Sequence, residues 1–377
     1  MKKSHVVVYS ALLWLLGSVC SQAQQSLAST RNGDSNALLS ALAIPVGLAA
    51  QANQQQGPAQ DSANAGTLTI ITFDVPGSTW TIGASINPAG VIAGSYTSAN
   101  HYHGFLRAAD GTFTTFDVPG AVNTSPVGIN PAGAVTGDYF ENGTHGFLRA
   151  ADGTITTFDP PGSTFTFPFS INLGGAITGF YHDANGVTHG FLRAASGTFT
   201  SFDPPGSTVT YPYSINSGGA ITGLYQDANG VQHGFLRAAS GTITPFDPPG
   251  AKSTSPSGIN TAGAVTGSYC SDLNARPCHG FLRSAAGTFT TFDPPGSVYT
   301  TATSINDGSV ITGSYSGLTL PIHGFVRAAN GTITAFDVPG ATQTTPSSIN
   351  PSNEITGNWY DGSAFHGFLV MGCCQGH

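Results

Sequence analysis

The amino-acid sequence predicts an all-β fold, a seven-bladed β-propeller of four-stranded blades, and three observations carry that expectation. From residue 67 to 371 one unit is written seven times at a period of 42–46 residues, each copy holding short β-type runs, which suits a four-stranded propeller blade. Charged residues are 8% of the 377, against roughly 25% in an average soluble chain. Glu occurs only at Glu141 and Glu354, so the usual surface-helix formers are scarce. The repeat is also out of phase with its own ends, opening on a lone fourth strand and closing after a third.

Three landmarks define the unit. Phe-Asp followed by Val/Pro-Pro-Gly places its carboxylate at Asp74, Asp117, Asp159, Asp203, Asp247, Asp293 and Asp337. Ile-Asn recurs at Asn87, Asn130, Asn172, Asn216, Asn260, Asn306 and Asn350, and His-Gly-Phe at His103, His145, His189, His233, His279, His323 and His366. Asp to the next Asn is always 13 residues, that Asn to the Gly of Thr/Ala-Gly always 7, and His to the next Asp 14 in all six complete instances. All length variation falls between the aromatic two residues after that Gly and the following His, where the gaps hold 5 to 9 residues. Three connections are therefore fixed and one is free.

Taken in order, strand a ends in Ser/Gly-Ile-Asn, and an Asn-x-x-Gly-like turn follows that the Asn side chain can cap. Strand b is Ala-Val-Thr-Gly-Ser-Tyr, as at 264–269, or a close variant. After the variable loop, strand c starts at His-Gly-Phe-Leu-Arg, and a tight turn such as Asp152-Gly153 leads into strand d, Thr-Phe-Thr-Thr-Phe-Asp at 112–117. Such turn dipeptides between β-rich runs are a strong hairpin signal. Pairing the spare N-terminal strand (67–74) with the last unit would close the ring and remove an exposed edge. An open solenoid would instead need distinct capping repeats.

Outside the repeats, residues 1–23 read as a signal peptide: Lys2 and Lys3, an apolar run from Val6 to Val19, and small residues at Ser21 and Ala23 for cleavage. Residues 24–66 are rich in Gln, Ala and Ser and read as a disordered low-complexity linker. The propeller is assigned to 67–371, and 372–377 form a short tail. The expectation is a secreted or periplasmic monomer of bacterial export with no transmembrane span, since no stretch after the signal reaches the ~18 apolar residues of a span. The net charge of −8 makes nucleic acid a poor partner. In an oxidising compartment Cys270 and Cys278 can close their loop as a disulfide; the pairing of Cys373 and Cys374 stays open.

The stretches Ile-Asn-Pro-Ala-Gly-Ala-Val-Thr-Gly (129–137), His-Gly-Phe-Leu-Arg-Ala (145–150) and Thr-Thr-Phe-Asp (156–159) resemble the bacterial extracellular HAF-type repeat family. That family is built on Ile-Asn-x-x-Gly-x-x-x-Gly followed by His-Ala-Phe. This chain departs by having Gly where the family has Ala, and Arg or Val where Trp is common. The resemblance implies export and a propeller-like fold, and it transfers no activity or site.

Seven His and seven Asp suggest catalysis or metal binding, but catalytic constellations are asymmetric whereas these repeat. With Asp152-Gly153 as a two-residue turn, Gly146 faces Asp159 and His145 lies diagonally beside that carboxylate, so a His–Asp bond holding each blade is the economical reading. The six Arg at 107, 149, 193, 237, 283 and 327 are expected to stack or to pair with an acidic neighbour; Val370 at the seventh position argues against a ring-wide anion site. Asp183-Ala-Asn185-Gly186 and Asp227-Ala-Asn229-Gly230 faintly resemble calcium loops, yet lack the distal Glu of an EF-hand, and read as turns. No nucleophile elbow, phosphate loop, zinc-type Cys pair or paired-carboxylate pattern is present. No catalytic residue, metal or cofactor is therefore assigned.

Recognition is expected on the face carrying the d–a and b–c loops, because loops varying on a rigid scaffold usually bind. Aromatic residues mark those connections: Phe165, Phe167 and Phe169 in one, Tyr211 and Tyr213 in the next, with Trp80 and Tyr299 in related stretches. Rings beside hydroxyls with few charges suit a neutral sugar; the competing reading is that alternate rings fill gaps between blades. The expectation is a non-enzymatic binding or scaffold protein for a glycan or extracellular protein. A propeller hydrolase or lyase, or a purely structural envelope or matrix protein, is the alternative.

Overall fold

A computed structural model describes residues 68–272 and 277–372. The expected signal peptide (1–23), the expected linker (24–66), and Cys373 and Cys374 lie outside the described residues. The described chain is all β: twenty-eight strands, β1–β28 in chain order, and no helix among them. Each unit forms one antiparallel set of four. In the first, β2 (Trp80–Ile86), β3 (Ile92–Ser98), β4 (His101–Arg107) and β5 (Phe113–Phe116) pair in sequence as strands a, b, c and d. The other a strands are β6 (Asn123–Ile129), β10 (Phe165–Ile171), β14 (Val209–Ile215), β18 (Ser253–Ile259), β22 (Tyr299–Ile305) and β26 (Gln343–Ile349). In the last unit β26 pairs β27 (Ile355–Tyr360), which pairs β28 (Phe365–Met371). The fourth place is taken by β1 (Thr69–Phe73), antiparallel to β28 from Thr69↔Met371 to Phe73↔Gly367. Successive sets lie side by side in a β-propeller arrangement, and β2 packs against β26, β27 and β28.

The sequence explains why sets must pack on one another. Each His-Gly-Phe ring (Phe105, Phe147, Phe191, Phe235, Phe281, Phe325, Phe368) is fully buried. It meets the Phe of the preceding unit's strand d edge-on at 6.0–6.3 Å between centroids, from Phe73–Phe105 through Phe336–Phe368. Two glycines make room for these rings. A Cβ on Gly137 of strand b would fall 2.9 Å from the Phe147 ring and against the Ser125 carbonyl, and one on Gly146 would strike the Phe158 ring.

The polar backbone at the inner edge is closed by the Ile-Asn asparagines, buried in all seven units. Each Oδ1 accepts backbone N–H groups of its own turn, as Asn87 does from Ala89 and Val91 at 3.0 Å. Each Nδ2 donates to the backbone carbonyl of the next unit's Asn, at 3.0–3.4 Å, and Asn350 donates to Asn87. The seven bonds thus form one cycle.

One expected register is corrected. Gly146 faces Phe158, not Asp159. Ala150 N donates to the Thr154 carbonyl, and Gly153 sits at φ 95°, so the loop holds three residues and ends in a bulge rather than a two-residue turn. The shift by one brings His145 directly opposite Asp159 instead of diagonal to it.

Two stability measurements follow. The a–b turns use Gly at a positive φ in the first five units (Gly90, Gly133, Gly175, Gly219, Gly263), whereas Ser309 adopts φ 59° at the equivalent place. Ser309→Gly relieves the left-handed strain and is expected to stabilise by about 1 kcal/mol, read as a raised denaturant midpoint. Phe73 joins the first and last sets through Phe105, Phe113 and Arg107. Phe73→Ala is expected to cost ~3–5 kcal/mol; unchanged melting would refute a joining role for β1.

Candidate functional site

The recurrent His and Asp residues are brought together in every unit. His Nδ1–H donates to Asp Oδ2 at 2.6–2.9 Å in seven pairs: His103–Asp117, His145–Asp159, His189–Asp203, His233–Asp247, His279–Asp293, His323–Asp337 and, across the two ends of the repeat, His366–Asp74. A strand-b ring lies over each imidazole, as Tyr139 over His145 at 5.3 Å and Trp359 over His366 at 4.6 Å. A fully buried Thr, the second residue of the next a strand, bonds either to the Asp or to the residue after it, and that residue decides which. Where Pro follows, as after Asp159, Thr166 Oγ1–H donates to Asp159 Oδ1. Where Val follows, as after Asp117, the Val118 N–H donates to Thr124 Oγ1 at 3.1 Å. Proline has no N–H, so the threonine proton turns to the carboxylate. The His–Asp bond recurs in seven copies and links strands c and d of each unit.

His189 and His233 each have a second carboxylate 3.8 Å from Nε2, that of Asp183 and of Asp227. His366 has the closest: its Nε2 lies 3.4 Å from Asp361 Oδ2 while Nδ1 holds Asp74. Burial works against its protonation, but the two carboxylates outweigh this and raise its pKa above the ordinary value. The six arginines stack, each guanidinium 4.9–5.1 Å from the centre of the preceding unit's strand-d Phe, as Arg107 over Phe73. Asp183 and Asp227 act as turn caps: Asp183 Oδ1 accepts the N–H groups of Asn185 and Val187, both at 2.8 Å, and Asp227 does the same for Asn229 and Val231. Cys270 and Cys278 face each other in register and are joined as a disulfide. Among the described residues no group of three or more His, Cys, Asp or Glu could hold a metal ion, and no helix is long and apolar enough to cross a membrane.

The aromatic residues lie elsewhere than in loops. Trp80, Phe165, Tyr299 and the Tyr211 position belong to the a strands themselves, because the Pro-Gly turn after each Asp reverses the chain within a few residues and pairing with strand b begins at once. Phe165 stacks on His182 at 4.9 Å and on Phe180 at 5.7 Å. Phe167 is 6% exposed and stacks on Phe180, and Tyr211 meets Phe180 edge-on at 4.8 Å. These three fill the space between neighbouring inner strands. Trp80 is half-buried against Phe365, which in turn meets Tyr360.

Phe169 and Tyr213 face a different environment. In every a strand the register skips one residue between the fourth and sixth positions. The fourth residue is commonly Pro, which an inner edge strand tolerates at a bulge. The skipped residues are Ala84, Val127, Phe169, Tyr213, Ser257, Thr303 and Ser347, and all seven line one cavity of about 160 Å³ bounded by all seven a strands. No charged side chain lines it. Phe169 and Tyr213 meet edge-on at 5.0 Å, and burial pushes the Tyr213 phenol well above its ordinary pKa. The sequence reached two of these seven positions by their rings; the x-Ser/Gly-Ile-Asn pattern, with Pro before it at Val127, Ser257 and Ser347, was the available signal for the rest.

Asp138 is a residue that the sequence reading missed. It replaces the Ser of Thr-Gly-Ser-Tyr in strand b of the second unit, is 8% exposed, and its Oδ1 has no hydrogen-bond partner. Desolvation raises its pKa to about 7.

No family model and no curated relative matches the chain. Among solved structures it is similar to a streptogramin B lyase at 16% identity, covering 80% of this chain and 98% of that one with a TM-score of 0.53. It is similar to virginiamycin B lyase from Staphylococcus aureus at 17% identity, covering 81% and 100% with a TM-score of 0.56. The β-propeller domain of the trilobed protease from Pyrococcus furiosus matches at 8% identity, covering 78% and 95%, also at 0.56. At these identities the likeness is one of fold, and that fold is the β-propeller.

The Asp138 carboxyl sets a pH dependence. Its folded-state pKa lies above the ordinary ~4, so the folded chain retains a proton that the unfolded chain has lost, and stability falls as pH rises from about 4 through about 7. Asp138→Asn removes this fall. Relative to wild type the variant is expected to gain at least ~1 kcal/mol at pH 8 and little at pH 4 in denaturant titrations.

Proposed function

We propose that this chain is an exported, monomeric, non-enzymatic binding protein that recognises a neutral, hydroxyl-rich ligand, a glycan before a protein. Its scaffold is a seven-bladed propeller of four-stranded blades, the last blade completed by β1. The pairing of β1 with β28 and the asparagine cycle from Asn87 back to Asn87 support that closure. The run from Lys2 to Ala23 and the HAF-like units support export.

The observation that carries the binding reading is the combination of aromatic rings and hydroxyls without charge on the inner strands. Phe169 and Tyr213 share one cavity with Ser257, Thr303 and Ser347. Rings present apolar faces to a ligand's C–H surface while hydroxyls fix its orientation, the usual division of labour in small-ligand sites. Trp80, Phe365 and Tyr360 form a second aromatic group, at the end of the sets where the d–a and b–c connections emerge. The His–Asp pairs are excluded from the site because all seven are engaged with neighbouring strands.

An array of neutral and acidic glycans probed with the full chain tests this reading. Saturable binding to neutral members is expected, with affinity unchanged between low and high salt because no charge pair is involved. A blank array with a cooperatively melting protein would overturn glycan recognition and favour a protein partner or a structural envelope role.

A further inference from the structure

The cavity bounded by the seven a strands is asymmetric in a way the repeat does not require. In unit order its bulge residues run Ala84 and Val127, then Phe169 and Tyr213, then Ser257, Thr303 and Ser347. Two small apolar residues are thus followed by two rings and then by three hydroxyls. In a ring of seven this sets the Phe169–Tyr213 wall across from Ser347 and its neighbours. The scaffold positions beside them hardly vary: Ile closes every a strand and Asn follows it. The side chain that the bulge turns inward thus ranges from Ala to Tyr beside a constant Ile-Asn, so the cavity wall varies on a fixed frame.

The hydroxyls come in two tiers with opposite polarity. In the bulge tier, Ser257 Oγ–H donates to the Ala302 carbonyl at 2.6 Å and Thr303 Oγ1–H to the Pro346 carbonyl at 2.9 Å. Their protons are spent, so these oxygens meet a ligand as acceptors. One residue further along the strand, Ser170, Ser304 and Ser348 accept the backbone N–H of the next unit's Ile at 3.4 Å. A serine that accepts still carries its own O–H to donate. A guest with both donor and acceptor hydroxyls on its edge and an apolar C–H face fits both tiers and the aromatic wall. The volume of about 160 Å³ is short of the ~300–1,000 Å³ of drug-sized pockets and suits one six-membered sugar ring. The absence of charged groups from the lining disfavours uronic acids and amino sugars with a free ammonium, whose charge would be desolvated without a partner.

We infer that this cavity is a binding site for a single neutral pyranose unit, stacked on Phe169 and Tyr213 and hydrogen-bonded by the Ser/Thr tiers. The inference deepens the glycan reading above and rests on it. Glycan recognition at Trp80, Phe365 and Tyr360 is the competing location.

The test is calorimetric titration of the full chain with D-glucose, D-galactose, D-mannose and N-acetylglucosamine, with glucuronic acid as the charged control. Saturable binding of at least one neutral sugar and none of the acid is expected. Phe169→Ala should weaken it at least tenfold, Ser347→Trp should abolish it by filling the cavity, and Trp80→Ala should leave it unchanged. Should Phe169→Ala fail to fold, Ser347→Trp decides, since it adds bulk to a half-buried channel position rather than removing packing. Binding that survives both channel variants overturns the cavity site, and its loss in Trp80→Ala would keep the glycan reading on the outer face. Binding of no neutral sugar by a folded chain, together with a blank array, overturns both.

Discussion

The contact on which the rest of the structure depends is the edge-on meeting of one unit's strand-d Phe with the next unit's fully buried His-Gly-Phe ring. A four-stranded sheet of this composition has no core of its own; its apolar face is buried only against a neighbour. The same strand-d ring also lies beneath the next unit's Arg in six junctions. The seventh junction, Phe336–Phe368, has Val370 in place of Arg and is filled by apolar groups, with Leu68 and Ile70 packed alongside. It is also the last set that receives its fourth strand from the other end of the chain. The two departures fall together, because the strand supplied from residues 69–73 brings its own apolar side chains to that junction.

Polar groups are matched to the same frame. The inner edge strands would leave backbone groups without partners, and the asparagine cycle, together with Ser/Thr bridges such as Ser257 to Ala302, ties them from unit to unit. At the outer part of each unit the His–Asp pair and the neighbouring Thr do the equivalent work: with proline after Asp the Thr hydroxyl donates to the carboxylate, and with valine it accepts the Val N–H. The His–Asp pairs are partly exposed, so each of those bonds contributes modestly and the sevenfold repetition gives them weight.

Function is then to be sought where the units differ. Units agree at the Phe, Asn, His and Asp positions and diverge at the first, third and bulge positions of strand a, at Asp138, and in the loops between strands b and c. A bulge residue is outside the pairing ladder, so its side chain is released from packing constraints and can vary without loss of fold. Asp138 shows the cost of variation elsewhere: a carboxyl placed in strand b loses its water and acquires no partner at Oδ1.

Much of this architecture was legible from the chain alone. Period, strand order, the spare first strand, the His–Asp pairs and the Cys270–Cys278 bridge all follow from local patterns, since a repeated unit states its own spacing seven times. The fourteen-residue interval from His to Asp was enough to pair them, although the hairpin register differed by one because Gly153 closes a three-residue loop. The location of the aromatic residues was not legible. Phe165, Phe167 and Phe169 alternate in sequence as any strand does, and only the tertiary structure decided that the first two pack between strands while the third enters the cavity. The reason is physical: the skipped pairing between Pro168 and Ser170 depends on where the neighbouring strand's hydrogen bonds fall, and a cavity bounded by seven strands exists only once residues more than 250 positions apart, such as Ala84 and Ser347, stand around it.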